Sequence, residues 1–271
     1  MRFRLIATAL VLSAAVPCAA QRQFGDRAER FLSNCERNNG NRDRERFCEV
    51  RDVTVRAPSG ALTVDGRENG GVSFVAGDGK DVRVKALIEA NADSRADAQS
   101  IAREIRVQVD GDRIHADGPM MRRHESWSVS YEISVPRTTN LRADTHNGGI
   151  SVDGVEGRMT LHATNGGISV RDVAGDVRAT TTNGGVNAIL SGGTWKGDGL
   201  DLETTNGGVT LEVPRGYNAR LETGTVNGSM HINFPITVSG RLGRSFSTTL
   251  GQGGPLVRMT TTNGGVTIRE R

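Results

Sequence analysis

Beyond residue 16 the sequence holds no apolar run long enough to cross a bilayer, which excludes a transmembrane helix from the chain that follows. Lysine is almost missing. It stands only at positions 80, 85 and 196 among 34 basic residues, so nearly every cation is arginine, a bias we read as genome composition rather than recognition. The formal net charge is only +3, and a nearly neutral chain has no general electrostatic reason to hold nucleic acid. Aromatic residues make up 4% against 35 glycines, a balance that suits a chain full of tight turns. The five histidines, His115, His124, His146, His162 and His231, are dispersed without a His-x-x-x-His spacing, so no metal site is expected. There is no P-loop, dinucleotide fingerprint or Gly-x-Ser-x-Gly elbow, and no cofactor is expected.

Cysteine is scarce as well, with three in all, at positions 18, 35 and 48. The first lies in a segment that reads as a secretory signal over residues 1–20: Arg2 and Arg4, an apolar run over residues 5–16, then Cys18-Ala19-Ala20 as a small-residue cleavage site. Lipidation of Cys18 is the lesser reading, because Pro17 stands where a lipobox wants a small residue. Processing removes two arginines and no acid, so 34 − 2 = 32 bases face 31 acids and the charge falls to +1. Cys35 and Cys48 remain as an even pair in an oxidising compartment. A disulfide between them is the expectation, worth about 3 kcal/mol from loop closure. Residues 21–49 around that pair alternate Arg with Asp and Glu and read as a charged, solvated arm.

Residues 50–136 read as a strand-rich part with one helix. Alternating stretches at residues 49–55, 61–64, 72–75 and 82–87 are each closed by Gly, Asp or Pro. Residues 94–104 form the helix, with Asp93 or Ser94 as N-cap and Ala98 and Ala102 four apart. Strands resume at residues 105–109 and 127–135, ending at Pro136.

Residues 137–271 are periodic. Thr-x-Asn-Gly-Gly-Ile/Val recurs at residues 145–150, 163–168 (with Ala163 in the Thr place), 181–186, 204–209 and 261–266. A degenerate copy lies at residues 225–230, and an isolated Asn69-Gly70-Gly71-Val72 lies far upstream. The corner asparagines Asn147, Asn165, Asn183, Asn206, Asn227 and Asn263 are separated by 18, 18, 23, 21 and 36 residues, a repeat of solenoid size. The last gap reads as two units of 18 with one rung that has lost its signature.

Aligning the copies on Asn places Leu141, Met159, Val177, Leu200, Leu221 and Val257 six residues before it, and Ile150, Ile168, Val186, Val209, Met230 and Val266 three after. This is period-two alternation on both sides of a Gly-rich corner, with one apolar face. Asn-Gly is also a strong hairpin signal. However, the corner recurs identically and leads each time to another corner, so we weigh parallel stacking above hairpins. In that stack the Asn amides run down the corner and the glycines supply positive φ. The predicted fold is all-β: a parallel β-solenoid of about 18–23-residue rungs, preceded by a strand-rich cap with one short helix.

From about residue 50 to residue 271 the chain resembles the bacterial "putative adhesin" domain, a β-solenoid family of unknown function whose hallmark is a repeated Thr-x-Asn-Gly-Gly/Asp-Ile. The closing stretch Leu256-Val257-Arg258-Met259-Thr260-Thr261-Thr262-Asn263-Gly264-Gly265-Val266 resembles that family's last rung. The resemblance implies a binding or structural role and carries no catalytic residues to transfer.

The outward positions hold the candidate site residues. Asp201 and Glu203 share one rung and Glu222 falls on the next, a grouping that pectin-degrading solenoids use for acid/base work. His162 stacks over Asp144 in one column. Charged outward positions are ordinary on such a surface, and Arg142, Arg178 and Arg258 share the column of Asp201 and Glu222, so catalysis is the lesser reading. An outward hydroxyl ladder of Thr164, Thr182 and Thr205 is a further surface feature. The sequence thus leads to an exported, non-enzymatic, adhesin-like binding or structural module of the cell envelope, periplasmic or at the cell surface, with an envelope glycan or envelope protein as partner. A polysaccharide-acting enzyme and an envelope-stress signalling component are the alternatives.

Overall fold

A computed structural model describes residues 19–37, 44–234 and 244–271. The signal segment and Cys18 lie outside the described residues, apart from Ala19 and Ala20. Among the described residues twenty strands form two large mixed sheets of ten strands each, and neither closes into a barrel. No helix among the described residues is long and apolar enough to cross a membrane.

The repeats explain the sheets. Each copy contributes one strand before its Asn-Gly-Gly corner to one sheet and one strand after it to the other. Glu156–Ala163 lies parallel to Asn140–Thr145 and to Ala174–Asn183, with Met159 beside both Leu141 and Val177. Across the corner Ile168 pairs with both Ile150 and Val186, and Val209 with both Val186 and Val266. Like therefore sits on like. Leu141, Met159, Val177, Leu200, Val257 and Leu221 form one buried column, and Ile150, Ile168, Val186, Val209 and Val266 another. Each such side chain contributes roughly 1.5–3 kcal/mol once a neighbour covers it.

The glycines are needed for a different reason from the one predicted. The first glycine of each corner, such as Gly166, does not have positive φ. A Cβ there would collide with the carbonyl of Gly148 in the neighbouring corner, so the pair is small to let the backbones stack.

The C-terminal order also differs from the expected one. Among the described residues no unsigned parallel rung lies between Asn227 and Asn263. The strand Leu256–Asn263 inserts between Gly199–Asn206 and Ala219–Asn227, pairing in parallel with both. Ser245–Leu250 then runs antiparallel along the outer edge of Ala219–Asn227. Spacing along the chain could not reveal this, because a strand that returns to fill a gap keeps the same signature as one that follows in order.

At the other end the sheets extend into the strand-rich part. Glu45–Arg56 and Asp81–Ala92 are antiparallel, and Asp81–Ala92 is antiparallel to Ser126–Pro136, which in turn lies parallel to Val72–Gly77. The helix Arg95–Glu104 forms as predicted: Ser94 caps it by accepting from the Asp97 amide at 3.1 Å, and Ala98, Ile101 and Ala102 are buried.

The solvated arm is a correction. Residues Ala19–Arg37 form a helix, here α1, which packs on the first sheet. Phe24, Ala28, Phe31 and Cys35 recur at helical spacing with Ala28 and Cys35 buried, a stripe hidden in the sequence by the charges around it. Arg83 and Lys85 lie over the Phe24 ring at 5.2 and 5.8 Å. The predicted disulfide is present: Cys35 and Cys48, with Cα atoms 6.3 Å apart, tie α1 to the first strand.

Candidate functional site

The corner of the repeat is a continuous hydrogen-bonded ladder. Asn147 donates its amide to Asn69 at 3.1 Å, Asn165 to Asn147 at 2.9 Å, Asn183 to Asn165 at 2.8 Å and Asn206 to Asn183 at 2.8 Å. Asn263 donates to Asn206 and Asn227 to Asn263, each at 2.8 Å. The buried Thr column supports it from inside. The hydroxyls of Thr181, Thr204, Thr261 and Thr225 donate to the carbonyls of Gly166, Gly184, Gly207 and Gly264 in the neighbouring corner at 2.7–2.8 Å. The asparagine side chains are thus bonded to one another, and the threonine hydroxyls to glycine carbonyls, down the stack.

The outward candidates lie on the face of the second sheet. His162 sits beside Asp144 in register and contacts the Thr180 hydroxyl through Nδ1 at 3.1 Å, while Asp144 is ion-paired with Arg142 at 3.2 Å. The acidic trio does not assemble. Because Leu256–Asn263 intervenes, Asp201 has Arg178 on one side and Arg258 on the other, and Glu222 also neighbours Arg258. The column runs Arg178, Asp201, Arg258, Glu222, alternating in sign. Glu203 neighbours Thr180 and Thr260. Such an alternation neutralises itself and offers no paired carboxylates to a glycosidic bond.

A different arrangement arises where the ladder ends. Beyond Asn69 the next corner is not Asn-Gly-Gly but the longer connection, residues 118–125, between Arg113–Asp117 and Ser126–Pro136. Its departure opens a cleft of about 380 Å³ lined by the Asn69 corner on one side and by Pro119, Met121, Trp127 and Tyr131 on the other. Trp127 is fixed by donating its indole N–H to the Pro119 carbonyl at 3.1 Å, with Gly118 against its ring. Arg67, whose φ is 52°, pairs with Asp117 at 2.6 Å and reaches Asp65 at 4.0 Å. Gln108 holds the other Asp117 oxygen at 2.9 Å.

Tyr131 is only 1% exposed, yet its hydroxyl has no hydrogen-bond partner among the described residues. Burial, with Asp65 next in effect, pushes the phenol well above its ordinary pKa, so it remains a protonated donor. Buried tyrosine hydroxyls are normally satisfied, and an exception at the wall of a cleft points to a ligand.

A second cleft, of about 320 Å³, lies under α1, between Arg27 and Arg30 and the outward serines Ser73, Ser151 and Ser169. Glu132 forms part of its wall. It is 3% exposed and its Oε2 is unpartnered among the described residues. Burial raises its pKa to about 7, with Arg27 the leading opposing influence.

Sequence reasoning missed both Tyr131 and Glu132 because they lie outside the repeats. The available signal was the isolated Asn69-Gly70-Gly71, a corner with no matching partner on its upstream side, facing a strand that carries Trp127 and Tyr131 in a chain with 4% aromatics.

The family model Toastrack DUF4097 matches residues 36–269. Among solved structures, a "putative cell adhesion protein" from Clostridium sporogenes is 12% identical with a TM-score of 0.42, over 84% of this chain and 100% of its own. A "putative adhesin" from Bacteroides fragilis is 12% identical with a TM-score of 0.37, over 83% and 97%. A "putative lipid binding protein" from Parabacteroides distasonis is 8% identical with a TM-score of 0.35, over 83% and 96%. No curated protein matches the chain.

Proposed function

The chain belongs to the Toastrack DUF4097 family, and from that premise we propose that it is an exported, non-enzymatic binding module of the cell envelope. Its architecture in this reading is a parallel β-solenoid of about 18–23-residue rungs, which serves as a rigid stalk for the strand-rich end. The observation that carries the reading is the unpartnered Tyr131 hydroxyl in the wall of the cleft at the end of the asparagine ladder. Among the described residues His115, Glu132 and Thr223 also carry an unpartnered buried polar atom, and Tyr131 is the one of the four that lines the concave site with aromatic side chains. The Cys35–Cys48 disulfide supports an oxidising location, periplasmic or at the surface.

The enzymatic alternative loses support from the position of Arg258 between Asp201 and Glu222. A signalling role would rest on a partner protein, and an adjacent regulator gene would favour it. The test is capture: the mature chain is immobilised and exposed to cell-wall glycans and envelope proteins. Retention at micromolar concentration is expected, and no retained partner of either kind refutes a binding role.

A further inference from the structure

We propose that the cleft between the Asn69 corner and the 118–125 connection is a saccharide site that holds one neutral sugar ring against Trp127, with ring hydroxyls on Tyr131, Asn69 and Asp117. The inference rests on the reading of the chain as a binding module and gives that module its ligand class. Three observations carry it.

The first is the set of groups left over. The Asn69 amide oxygen accepts from Asn147, so its amino group is what the ladder leaves to a ligand. In the regular part of the stack the corner amides are consumed by the corner before: Asn147 N donates to Glu68 O at 2.9 Å and Asn165 N to His146 O at 2.6 Å. The Asn69 corner faces a cleft where that preceding corner would stand. Beside it the Tyr131 hydroxyl is buried and unpartnered. The site therefore offers donors from Asn69 and Tyr131 and an acceptor from Asp117, a mixture that suits hydroxyl groups, which donate and accept at once.

The second is charge. Among the described residues Arg67 is the one Arg or Lys lining the cleft and is already committed to Asp117 and Asp65, while Glu68 and Asp117 supply two carboxylates. An anionic ligand would meet net negative charge with no available counter-ion, so phosphate and carboxylate groups are disfavoured. The third is shape. A concave volume of about 380 Å³ bounded by Trp127, Met121 and Pro119 presents an apolar wall to the C–H face of a sugar ring and polar groups to its rim.

The test is calorimetric titration of the mature chain with N-acetylglucosamine, its β-1,4-linked disaccharide, glucose and, as the charged control, glucuronic acid. Binding of at least one neutral sugar is expected, with glucuronic acid at least about tenfold weaker. Tyr131→Phe removes only the hydroxyl and should weaken binding about five- to tenfold without lowering Tm. Asn69→Ala at the open end should weaken it comparably, whereas Asn183→Ala in the middle of the ladder should leave it unchanged. The proposal is overturned if no neutral sugar binds at about 10 mM. It is also overturned if glucuronic acid binds best, or if Tyr131→Phe and Asn69→Ala bind as wild type. The two levels separate in the capture experiment: envelope partners still retained by the doubly substituted chain would sink the saccharide cleft and leave the binding module standing.

Discussion

Asn263 donates its side-chain amide to Asn206 at 2.8 Å across 57 residues of sequence, and Asn227, nearer in sequence to Asn206, lies one step beyond and donates to Asn263. The last rung of the chain is therefore an interior rung of the stack.

That placement makes the C-terminus essential. Ending the chain at residue 251 would remove Val257, Met259, Val266 and Ile268, all buried, and uncover Leu202 and Leu211 on one side and Leu221 on the other. We expect a loss on the order of 6 kcal/mol or more, enough to abolish a cooperative urea transition. A truncated chain with the wild-type midpoint would show that Leu256–Asn263 is a dispensable edge.

The paired threonines of the corner give a finer test. Thr181 is buried and donates to Gly166 O at 2.7 Å, whereas its neighbour Thr182 points outward. Thr181→Val keeps the shape but orphans a carbonyl and should cost about 1–3 kcal/mol. Thr182→Val should stay within about 0.5 kcal/mol. Equal urea midpoints for the two variants would refute the inward assignment.

Much of this was legible in the sequence because a period-two pattern on both sides of a recurring corner admits few arrangements. The inward columns through Leu141 and Ile150, the Asn ladder, the helix capped by Ser94 and the Cys35–Cys48 bond all follow from local rules. What stayed hidden depends on three-dimensional order. Arg258 lies beside Asp201 only because its strand returns to the middle of the stack, and Tyr131 lines a cleft where the longer 118–125 connection replaces an Asn-Gly-Gly corner. The α1 stripe of Phe24, Ala28 and Cys35 was masked by the arginines and acids between them.

Glu132 makes stability depend on pH. The folded state keeps its proton up to about pH 7, whereas the unfolded chain releases it near the ordinary value of 4.5. The native state thus binds more protons across that window, and stability falls as pH rises through it. Glu132→Gln should remove this slope and stabilise the protein at pH 8 by on the order of 2 kcal/mol. Urea titrations at pH 4.5 and pH 8 decide it: an unchanged slope in the variant would mean that α1 does not bury this carboxyl.

The self-neutralising column leads to an expected null effect. Asp201→Ala and Glu203→Ala should leave partner capture within about twofold of wild type, since neither side chain lines the cleft. A polysaccharide panel degraded by wild type and spared by these variants would overturn the non-enzymatic reading.

The most direct test of the binding account is to record side-chain amide and indole NMR signals during titration with the β-1,4-linked N-acetylglucosamine disaccharide. The account predicts that Asn69 and Trp127, at the open end of the ladder, move on binding, while Asn183 and the buried Trp195 remain still. Shifts gathered instead along the face that carries Asp144, His162, Asp201, Glu203 and Glu222, or no shifts at saturating sugar, would contradict it.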